Sequence, residues 1–136
     1  MPDCLFCKII ANEIPSTKVY EDATVLAFLD INPVNIGHTL VIPKVHCTNL
    51  YETPDETLSH MAVIVKKLSI AIKSAVGADG INIEMNNDAP AGQLIFHTHI
   101  HIIPRFEGDG LKHWPSARGY IDGEASEVST KIKMHL

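Results

Sequence analysis

The sequence predicts an α+β fold in which about five antiparallel strands form one sheet and one long helix covers a face of that sheet. Segments with the two-residue alternation of strands outnumber segments with helical periodicity. The connections at 22–24 and 87–94 are short, which favours antiparallel neighbours because parallel strands need a crossover of a dozen or more residues. With 136 residues the chain is long enough for one domain with a substantial core.

The first part of the chain contains a short helix and three strand candidates. Asp22-Ala23 lies between two β-rich runs and predicts a hairpin turn. Asn32-Pro33 starts another turn, and Pro43 closes the third run. The predicted elements of this part are a helix over 5–11 and strands over 19–21, 25–30 and 39–42.

A long amphipathic helix is predicted next. Pro54, Asp55 and Glu56 are typical of a helix start, because proline fits the first turn and acids favour the positive end of the helix. Gly77 ends the helix. The apolar stripe, with spacings of three and four, consists of Leu58, Met61, Val65, Leu68, Ile72 and Ala75.

The last part of the chain contains two strands and a second helix. Alternating apolar and polar residues predict a half-buried strand over 81–86, which a polar loop over 87–93 connects to a histidine-rich strand. An irregular segment over 107–122 contains Trp114-Pro115. A weaker amphipathic helix over 124–136 has Ala125, Val128 and Ile132 on one face.

Three histidines alternate with other residues in the segment HTHIHII at 97–103. Side chains on a strand alternate between faces, so His97, His99 and His101 share one face, and Pro104-Arg105 ends the run because proline cannot donate to a sheet ladder. The residues expected to pack into a core on the other face are Thr98, Ile100 and Ile102. Such imidazoles can hold a metal, or one can attack an electrophile while its neighbours orient it and protonate the leaving group. A half-exposed strand that carries histidines by chance is the alternative.

The three cysteines are divided between a C-x-x-C pair, Cys4 and Cys7, and a separate Cys47. A redox pair usually opens a helix after a strand, and nothing resembling a strand precedes Cys4. Zinc is favoured, and His46 and His97 are candidates for the two further ligands. Reduced thiols and a redox couple remain the alternatives.

Composition excludes several classes of function. Hydrophobic residues make up 46% of the sequence and charged residues 20%, as is ordinary for a globular protein. The net charge of −5 argues against a nucleic-acid partner, which usually needs a basic face. The apolar runs are too short to span a bilayer, so no membrane partner is expected. No charged leader opens the chain, and we expect a cytoplasmic protein.

The alternating histidines and several other segments resemble the histidine triad (HIT) family of nucleotide hydrolases and transferases. The resemblance covers residues 3 to about 106, so we expect a single HIT domain over 1–136 with a core over 3–106 and a C-terminal extension over 107–136. Thr98 departs from the family pattern, which usually has an apolar residue there. The matching segments besides the triad are CLFCKII at 4–10, EIP at 13–15, VYED at 19–22, FLDINP at 28–33, GHTLVIPK at 37–44 and AGQ at 91–93.

The resemblance implies roles for individual residues. His99 would be the nucleophile, with Nδ1 held by the carbonyl of His97, and His101 and His38 would hold or protonate phosphate oxygens and the leaving group. A structural zinc would be bound by Cys4, Cys7, His46 and His97, with no organic cofactor. The residues implied in binding a nucleotide are Leu5, Phe6, Ile9, Phe28, Asp30, Ile31, Asn86, Gly92 and Gln93.

The implied function is hydrolysis at the α-phosphate of a purine nucleotide through a nucleotidyl-histidine. His101 favours hydrolysis, because galactose-1-phosphate uridylyltransferase has glutamine at that position. Asn86 and Trp114-Pro115 favour the Hint branch over the Fhit branch, whereas Leu94 replaces a serine frequent in Hint proteins. The resemblance also implies a homodimer joined through 81–86 and the long helix. The alternatives are a dinucleoside polyphosphate hydrolase, a non-catalytic nucleotide-binding regulator, and a zinc-dependent metalloenzyme.

Overall fold

The fold consists of five strands and three α-helices, as seen in a computed structural model that describes residues 3–112 and 118–136. In chain order the elements are α1 (Leu5–Ile10), β1 (Lys18–Glu21), β2 (Val25–Leu29), β3 (Thr39–Pro43), α2 (Asp55–Val76), β4 (Gly80–Glu84), β5 (Ile100–Arg105) and α3 (Glu124–Met134). Short 3-10 helices cover Leu50–Glu52 and Ala89–Ala91. The predicted α+β class is confirmed. Trp114 and Pro115 lie outside the described residues.

The five strands form one sheet in the order β1-β2-β3-β5-β4, and every pair of neighbours is antiparallel. The two hairpins predicted from short connections, β1 with β2 and β4 with β5, are confirmed. The strand that contains His101 therefore lies between β3 and β4, and β4 forms an edge of the sheet. The connection from β4 to β5 brings the 3-10 helix at Ala89–Ala91 to one end of the sheet.

Helix α2 covers one face of the sheet because its buried stripe matches an apolar face of the strands. The helix begins after Pro54, and Gly77 ends it in a left-handed conformation with its N–H bonded to the carbonyl of Lys73. Ala75, predicted in the stripe, is exposed, whereas Ile64 is buried. The core on this face consists of Met61, Ile64, Val65, Leu68 and Ile72 from α2 and Val25, Ala27, Val41, Ile100 and Ile102 from the strands.

A second core lies on the opposite face of the sheet, where Phe6 and Ile9 of α1 pack. Their strand partners are Leu26, Phe28, Leu40 and Ile42. Because β2 and β3 alternate between these two cores, both of their faces are buried. Leu40 is opposite His101 in the register of β3 and β5, so the side chain of His101 lies on the α1 face.

The end of β5 differs from the prediction. Pro104 does not end its strand, because β5 continues to Arg105 and Pro104 pairs with Ile81 of β4. Strand β3 begins at Thr39, opposite Ile102, so Pro104 has no β3 residue beside it that would need its missing N–H.

The apolar side of α3 contributes no buried residue within the described chain. None of the described helices has the length and apolar character needed to cross a membrane.

Candidate active site and metal centre

A pocket of about 500 Å³ lies on the sheet face opposite α2. One side of it is apolar and the other contains three histidines. The predicted residues that line it are Leu5, Phe6, Ile9, Phe28, Asp30, Ile31, His38, Asn86, Gly92, His99 and His101. The structure therefore brings together every residue predicted for catalysis or nucleotide binding except Gln93.

His99 has one ring nitrogen fixed by the backbone. Its Nδ1 lies 2.7 Å from the carbonyl oxygen of His97, which can only accept, so Nδ1 carries the proton and Nε2 has a free lone pair. The ring is 8% exposed, and burial lowers the pKa of His99 below its ordinary value. The edge of Phe6 packs against the ring with centroids 5.2 Å apart. These contacts keep an unprotonated Nε2 in the pocket at neutral pH.

His38 and His101 form a hydrogen-bonded chain that starts at the backbone of Val34. The N–H of Val34 donates to Nδ1 of His38 at 3.0 Å, so a neutral His38 carries its proton on Nε2. That Nε2 donates to Nδ1 of His101 at 2.9 Å. A neutral His101 therefore carries its own proton on Nε2. His99 and His101 thus have opposite character, since Nε2 of His99 offers a lone pair and Nε2 of His101 offers an N–H.

Burial sets the ionisation of this chain. Burial, with smaller effects from the charges of His99 and His38, lowers the pKa of His101 to about 4. Burial also lowers the pKa of His38, although the carboxylates of Asp30 and Glu84 oppose this effect. Both imidazoles are therefore neutral near pH 7 when the pocket is empty.

Gly37 allows His38 to enter the pocket from the start of β3. Its φ of +89° is disfavoured for residues with a side chain. A Cβ at this position would lie 3.1 Å from Cγ1 of Val76 and 3.2 Å from Cγ of Pro104. The close approach of these groups requires glycine immediately before His38.

Asp30 lies at the end of β2 between the apolar side of the pocket and the histidines. Its Oδ1 accepts a hydrogen bond from the N–H of Asn32 at 2.8 Å, and its Oδ2 is 3.6 Å from Nε2 of His38. Neighbouring Ile31 lines the pocket but is 89% exposed, so only part of its side chain can contact a ligand.

Gln93 does not offer its amide to the pocket. Its Nε2 donates to the carbonyl oxygens of Thr48 at 2.6 Å and Ile95 at 3.1 Å, and its Oε1 accepts from the N–H of Asp88 at 2.8 Å. The side chain is 2% exposed. The predicted contact with phosphate is therefore replaced by a structural role, in which Gln93 holds the loop that presents Gly92.

Gly92 lies beside Asn86 at the polar end of the pocket. Its φ is +95°, and a Cβ there would be 3.6 Å from Nδ2 of Asn86. The absence of a side chain lets the backbone of the loop lie close to Asn86. The amide of Asn86 and the backbone at Gly92 thus form one side of the pocket near the histidines.

Four predicted metal ligands converge next to this pocket. Cys4 and Cys7 lie at the start of α1, His46 follows β3, and His97 precedes β5. Nδ1 of His97 lies 3.3 Å from Sγ of Cys4, 3.6 Å from Sγ of Cys7 and 3.2 Å from Nδ1 of His46. The Nε2 of His97 lies 2.8 Å from the carbonyl oxygen of Pro43, to which it donates, so Nδ1 has its lone pair directed at the cluster.

These four residues fit a tetrahedral zinc ion. Zn–S bonds of about 2.3 Å and Zn–N bonds of about 2.0–2.1 Å place tetrahedral ligand atoms about 3.3–3.8 Å apart. The donor atoms of the cluster have closely similar separations, and all lie within 4.8 Å of one another. Two thiolates and two neutral imidazoles are also a ligand set that zinc commonly takes in structural sites.

A second group, Asp30, His38 and His101, has the spacing of a metal site but an unsuitable proton arrangement. The N–H of Val34 occupies Nδ1 of His38, so Nε2 carries a proton directed at His101. A metal here would need that nitrogen unprotonated. The geometry therefore favours a chain of hydrogen bonds over a metal centre at this point.

Thr98, the departure from the triad pattern, is buried and fully bonded. Its Oγ1 lies 2.9 Å from Oγ1 of Thr53 and donates to the carbonyl of Cys47 at 3.2 Å. Its N–H donates to the same carbonyl at 2.7 Å. Because these partners satisfy the hydroxyl, threonine is tolerated where an apolar residue would otherwise be expected.

Sequence reasoning missed several residues of the site. Val34 acts through its backbone N–H, which leaves no signal in the residue type. In the sequence Glu84 is one of the polar positions of the alternating strand over 81–86, yet it lines the pocket. Other lining residues not predicted from the sequence are Ile14, Pro15, Ser16, Leu29, Asn32, Leu40, Leu94, Ile95 and Ile103.

Sequence comparisons match most of this chain to known proteins. The sequence model of the HIT domain matches residues 11–108. An Arabidopsis thaliana protein named adenylylsulfatase HINT3 is 48% identical over 137 residues, which cover 98% of this chain and 70% of that protein. A Schizosaccharomyces pombe protein named adenosine 5'-monophosphoramidase hnt1 is 39% identical over 135 residues, which cover 96% and 98% of the two chains.

Solved structures agree with the observed fold. The crystal structure of a HIT family member from Bacillus subtilis has a TM-score of 0.91 at 46% identity and covers 98% of this chain and 97% of its own. A zinc-bound histidine triad family protein from Mycobacterium smegmatis has a TM-score of 0.77 at 37% identity and covers 99% of both chains.

Proposed function

Because this chain belongs to the HIT domain family, we propose that it is a hydrolase that cleaves purine nucleotides of the AMP–X type at the α-phosphate. We propose the family domain over 1–136, with residues 107–136 as an extension. The observation that carries the proposal is the pairing of two ring nitrogens of opposite character, a lone pair on Nε2 of His99 and an N–H on Nε2 of His101. Two relatives bear the names of hydrolases of adenylylated compounds, which supports the same reaction class.

The apolar side of the pocket suits a purine base. Phe6 and Phe28 meet edge to face with centroids 5.6 Å apart, and Leu5 and Ile9 lie beside them. The carboxylate of Asp30 lies between this side and the histidines, where it can accept hydrogen bonds from ribose hydroxyls. Asn86 and the backbone at Gly92 are then positioned for the phosphate.

The reaction proceeds in two displacements. In the first, Nε2 of His99 attacks the α-phosphorus and forms a nucleotidyl-histidine as the bond from phosphorus to X breaks. The departing atom accepts a hydrogen bond from Nε2 of the neutral His101 and takes its proton from solvent. In the second, water attacks the phosphorus, the His99–phosphorus bond breaks and a proton returns to solvent, so that the products are a nucleoside monophosphate and HX. Two easier steps replace one difficult displacement.

We propose that Cys4, Cys7, His46 and His97 hold a structural zinc. Their donor spacing supports this, as does the zinc-bound relative. Zinc would cross-link the N-terminal segment, the segment after β3 and the start of the triad. Since the carbonyl of His97 holds His99, a fixed His97 also fixes the nucleophile. We also propose the cytoplasmic location expected from the sequence.

We also propose a homodimer joined through β4 and α2. Strand β4 is an edge of the sheet, so no strand of the described residues pairs with the backbone groups on its outer side. Ile83 on β4 is 51% exposed, and Val63 and Ile70 on α2 are 64% and 63% exposed. These features support a twofold interface above about 1,000 Å².

A substrate panel tests the proposed function. The panel contains adenosine and guanosine phosphoramidates, adenylyl sulfate and dinucleoside polyphosphates. We expect release of a nucleoside monophosphate and, after rapid quenching without acid, a nucleotidyl adduct on His99 in mass spectra. Tight binding of AMP with no turnover of any compound would instead support a nucleotide-binding regulator. Preferred cleavage of the dinucleotides would support the alternative hydrolase.

A further inference from the structure

Glu84 at the end of β4 lies directly opposite His101 in the register of β4 and β5. Directly opposed residues of antiparallel strands lie on the same face of a sheet, with Cβ atoms about 4.5–5.5 Å apart. Glu84 also lines the pocket together with His101. A carboxylate therefore lies beside the residue that meets the leaving group.

The charge of Glu84 is not neutralised by its surroundings. Within residues 3–112 and 118–136, no hydrogen bond or ion pair holds its carboxylate. Two carboxylates, those of Asp30 and Glu84, line the pocket, whereas no lysine or arginine of the described segments does. Asp30 is bonded to the backbone of Asn32 and is assigned to the ribose, which leaves Glu84 as the carboxylate available to the leaving group.

We propose that Glu84 selects substrates whose leaving group is an amine with a second positive charge, and disfavours anionic leaving groups. This inference rests on the proposed function. A nucleotide bound with its base against Phe6 and Phe28 directs its leaving group past the histidines, where the charge of Glu84 acts. A site with this charge attracts ammonium groups and repels sulfate, phosphate and carboxylate groups.

The chemical step of such a substrate balances without a further reactant. The phosphorus–nitrogen bond breaks while a bond from phosphorus to Nε2 of His99 forms. The amine nitrogen takes one proton from solvent beside the N–H of His101, and water later releases the nucleotide and returns one proton. The second ammonium group of the amine takes no part in bond breaking. Its contact with Glu84 therefore affects selectivity without changing the reaction.

The experiment uses three adenosine phosphoramidates whose leaving amines have the same length. Their far ends are an ammonium group, a methyl group and a carboxylate. For the wild-type protein we expect kcat/KM to fall in that order, with about a tenfold difference between the first and last. Added salt should reduce the difference, because the pocket is open to solvent at this point.

Two variants of Glu84 and a matched control separate the effect of its charge from other effects of substitution. Glu84→Gln should make the three rates nearly equal, and Glu84→Lys should reverse their order. Glu107→Gln, which removes an exposed carboxylate outside the pocket, should keep the wild-type order. Light scattering of each variant checks that its assembly is unchanged, since β4 is the proposed dimer strand.

The outcomes separate this inference from the proposed function. If the wild-type protein cleaves none of the three compounds, the proposed function fails. If it cleaves all three and the order is the same in wild type, Glu84→Gln and Glu84→Lys, the hydrolase stands and the selective role of Glu84 is overturned.

Discussion

The backbone carbonyl of His97 accepts the Nδ1 proton of His99 at 2.7 Å, while the imidazole of His97 faces the Cys4, Cys7 and His46 cluster. One residue therefore links the proposed metal centre to the proposed nucleophile. The link is the main-chain carbonyl of His97. When the imidazole of His97 is held in place, this carbonyl therefore also fixes the orientation of His99.

Replacing His99 with alanine should abolish the covalent step. Among the described residues of the pocket, no other imidazole has a proton fixed on one nitrogen and a free lone pair on the other. Loss of a nucleophile costs about 10⁴ or more in rate. Binding of AMP should stay near wild type, because it depends on Phe28, Asp30 and the backbone at Gly92. Single-turnover kinetics and calorimetric binding of AMP measure the two effects.

His101→Ala is the matched control for the nucleophile. It should still form the adduct on His99, and it should slow substrates with poor leaving groups more than those with good ones. An adduct on another residue, or wild-type turnover by the His99 variant, would contradict the assignment.

The zinc proposal predicts about one zinc per chain in protein purified without added metal. Cys4→Ser should lower the zinc content and the melting temperature, because a closed four-ligand site contributes directly to folding. Cys47→Ser is the control, since Cys47 is buried elsewhere and its Sγ faces the carbonyl of Val45. Zinc content by mass spectrometry and thermal unfolding with and without chelator provide the measurements. Equal melting with and without metal would exclude a structural role.

The dimer proposal predicts that charge on the exposed apolar side of α2 produces monomers. Val63 and Ile70 are seven residues apart and lie on one side of the helix, so Val63→Glu combined with Ile70→Glu should disrupt the twofold contact. Ile132→Glu on α3 should leave the dimer intact. Light scattering at micromolar concentration distinguishes the two states. A wild-type monomer, or a dimer in both variants, would refute the proposed interface.

The structural role of Gln93 predicts a loss of stability when its amide is removed. In Gln93→Ala, the N–H of Asp88 and the carbonyls of Thr48 and Ile95 lose their partner. Each buried group left unsatisfied costs about 1–3 kcal/mol. We expect a lower free energy of unfolding and a raised KM, because the loop at Gly92 loosens. Leu94→Ala, at a residue that is 88% exposed, should not lower the free energy of unfolding. Denaturant unfolding tests both variants.

The sequence could predict the parts of the site that depend on local periodicity. Alternation predicts that His97, His99 and His101 share one face of a strand, and His99 and His101 do line one pocket. His97 faces the metal cluster instead, and β5 begins only at Ile100. The role of Gln93 depends on Thr48, which is 45 residues away, so no local pattern could reveal it. The proton chain depends on a backbone N–H at Val34, and the position of Glu84 depends on the register of β4 and β5. The inclusion of Pro104 in β5 likewise depends on a distant residue, because it requires that β3 begins no earlier than Thr39.

The buried neutral state of His101 predicts that the protein is less stable in mild acid. Burial lowers the pKa of this imidazole to about 4 in the folded state, whereas an unfolded chain has the ordinary value of about 6.5. Between these two values the unfolded state binds more protons, so the free energy of unfolding falls as pH decreases from about 6.5 toward 4. Above about pH 6.5 both states are neutral and the effect vanishes. His101→Gln should therefore flatten the dependence of the melting temperature on pH between 7 and 5, while His135→Gln, at an exposed position after α3, serves as the control. Thermal unfolding in a pH series with excess zinc measures the slopes, and equal slopes for wild type and His101→Gln would show that His101 does not titrate as its burial requires.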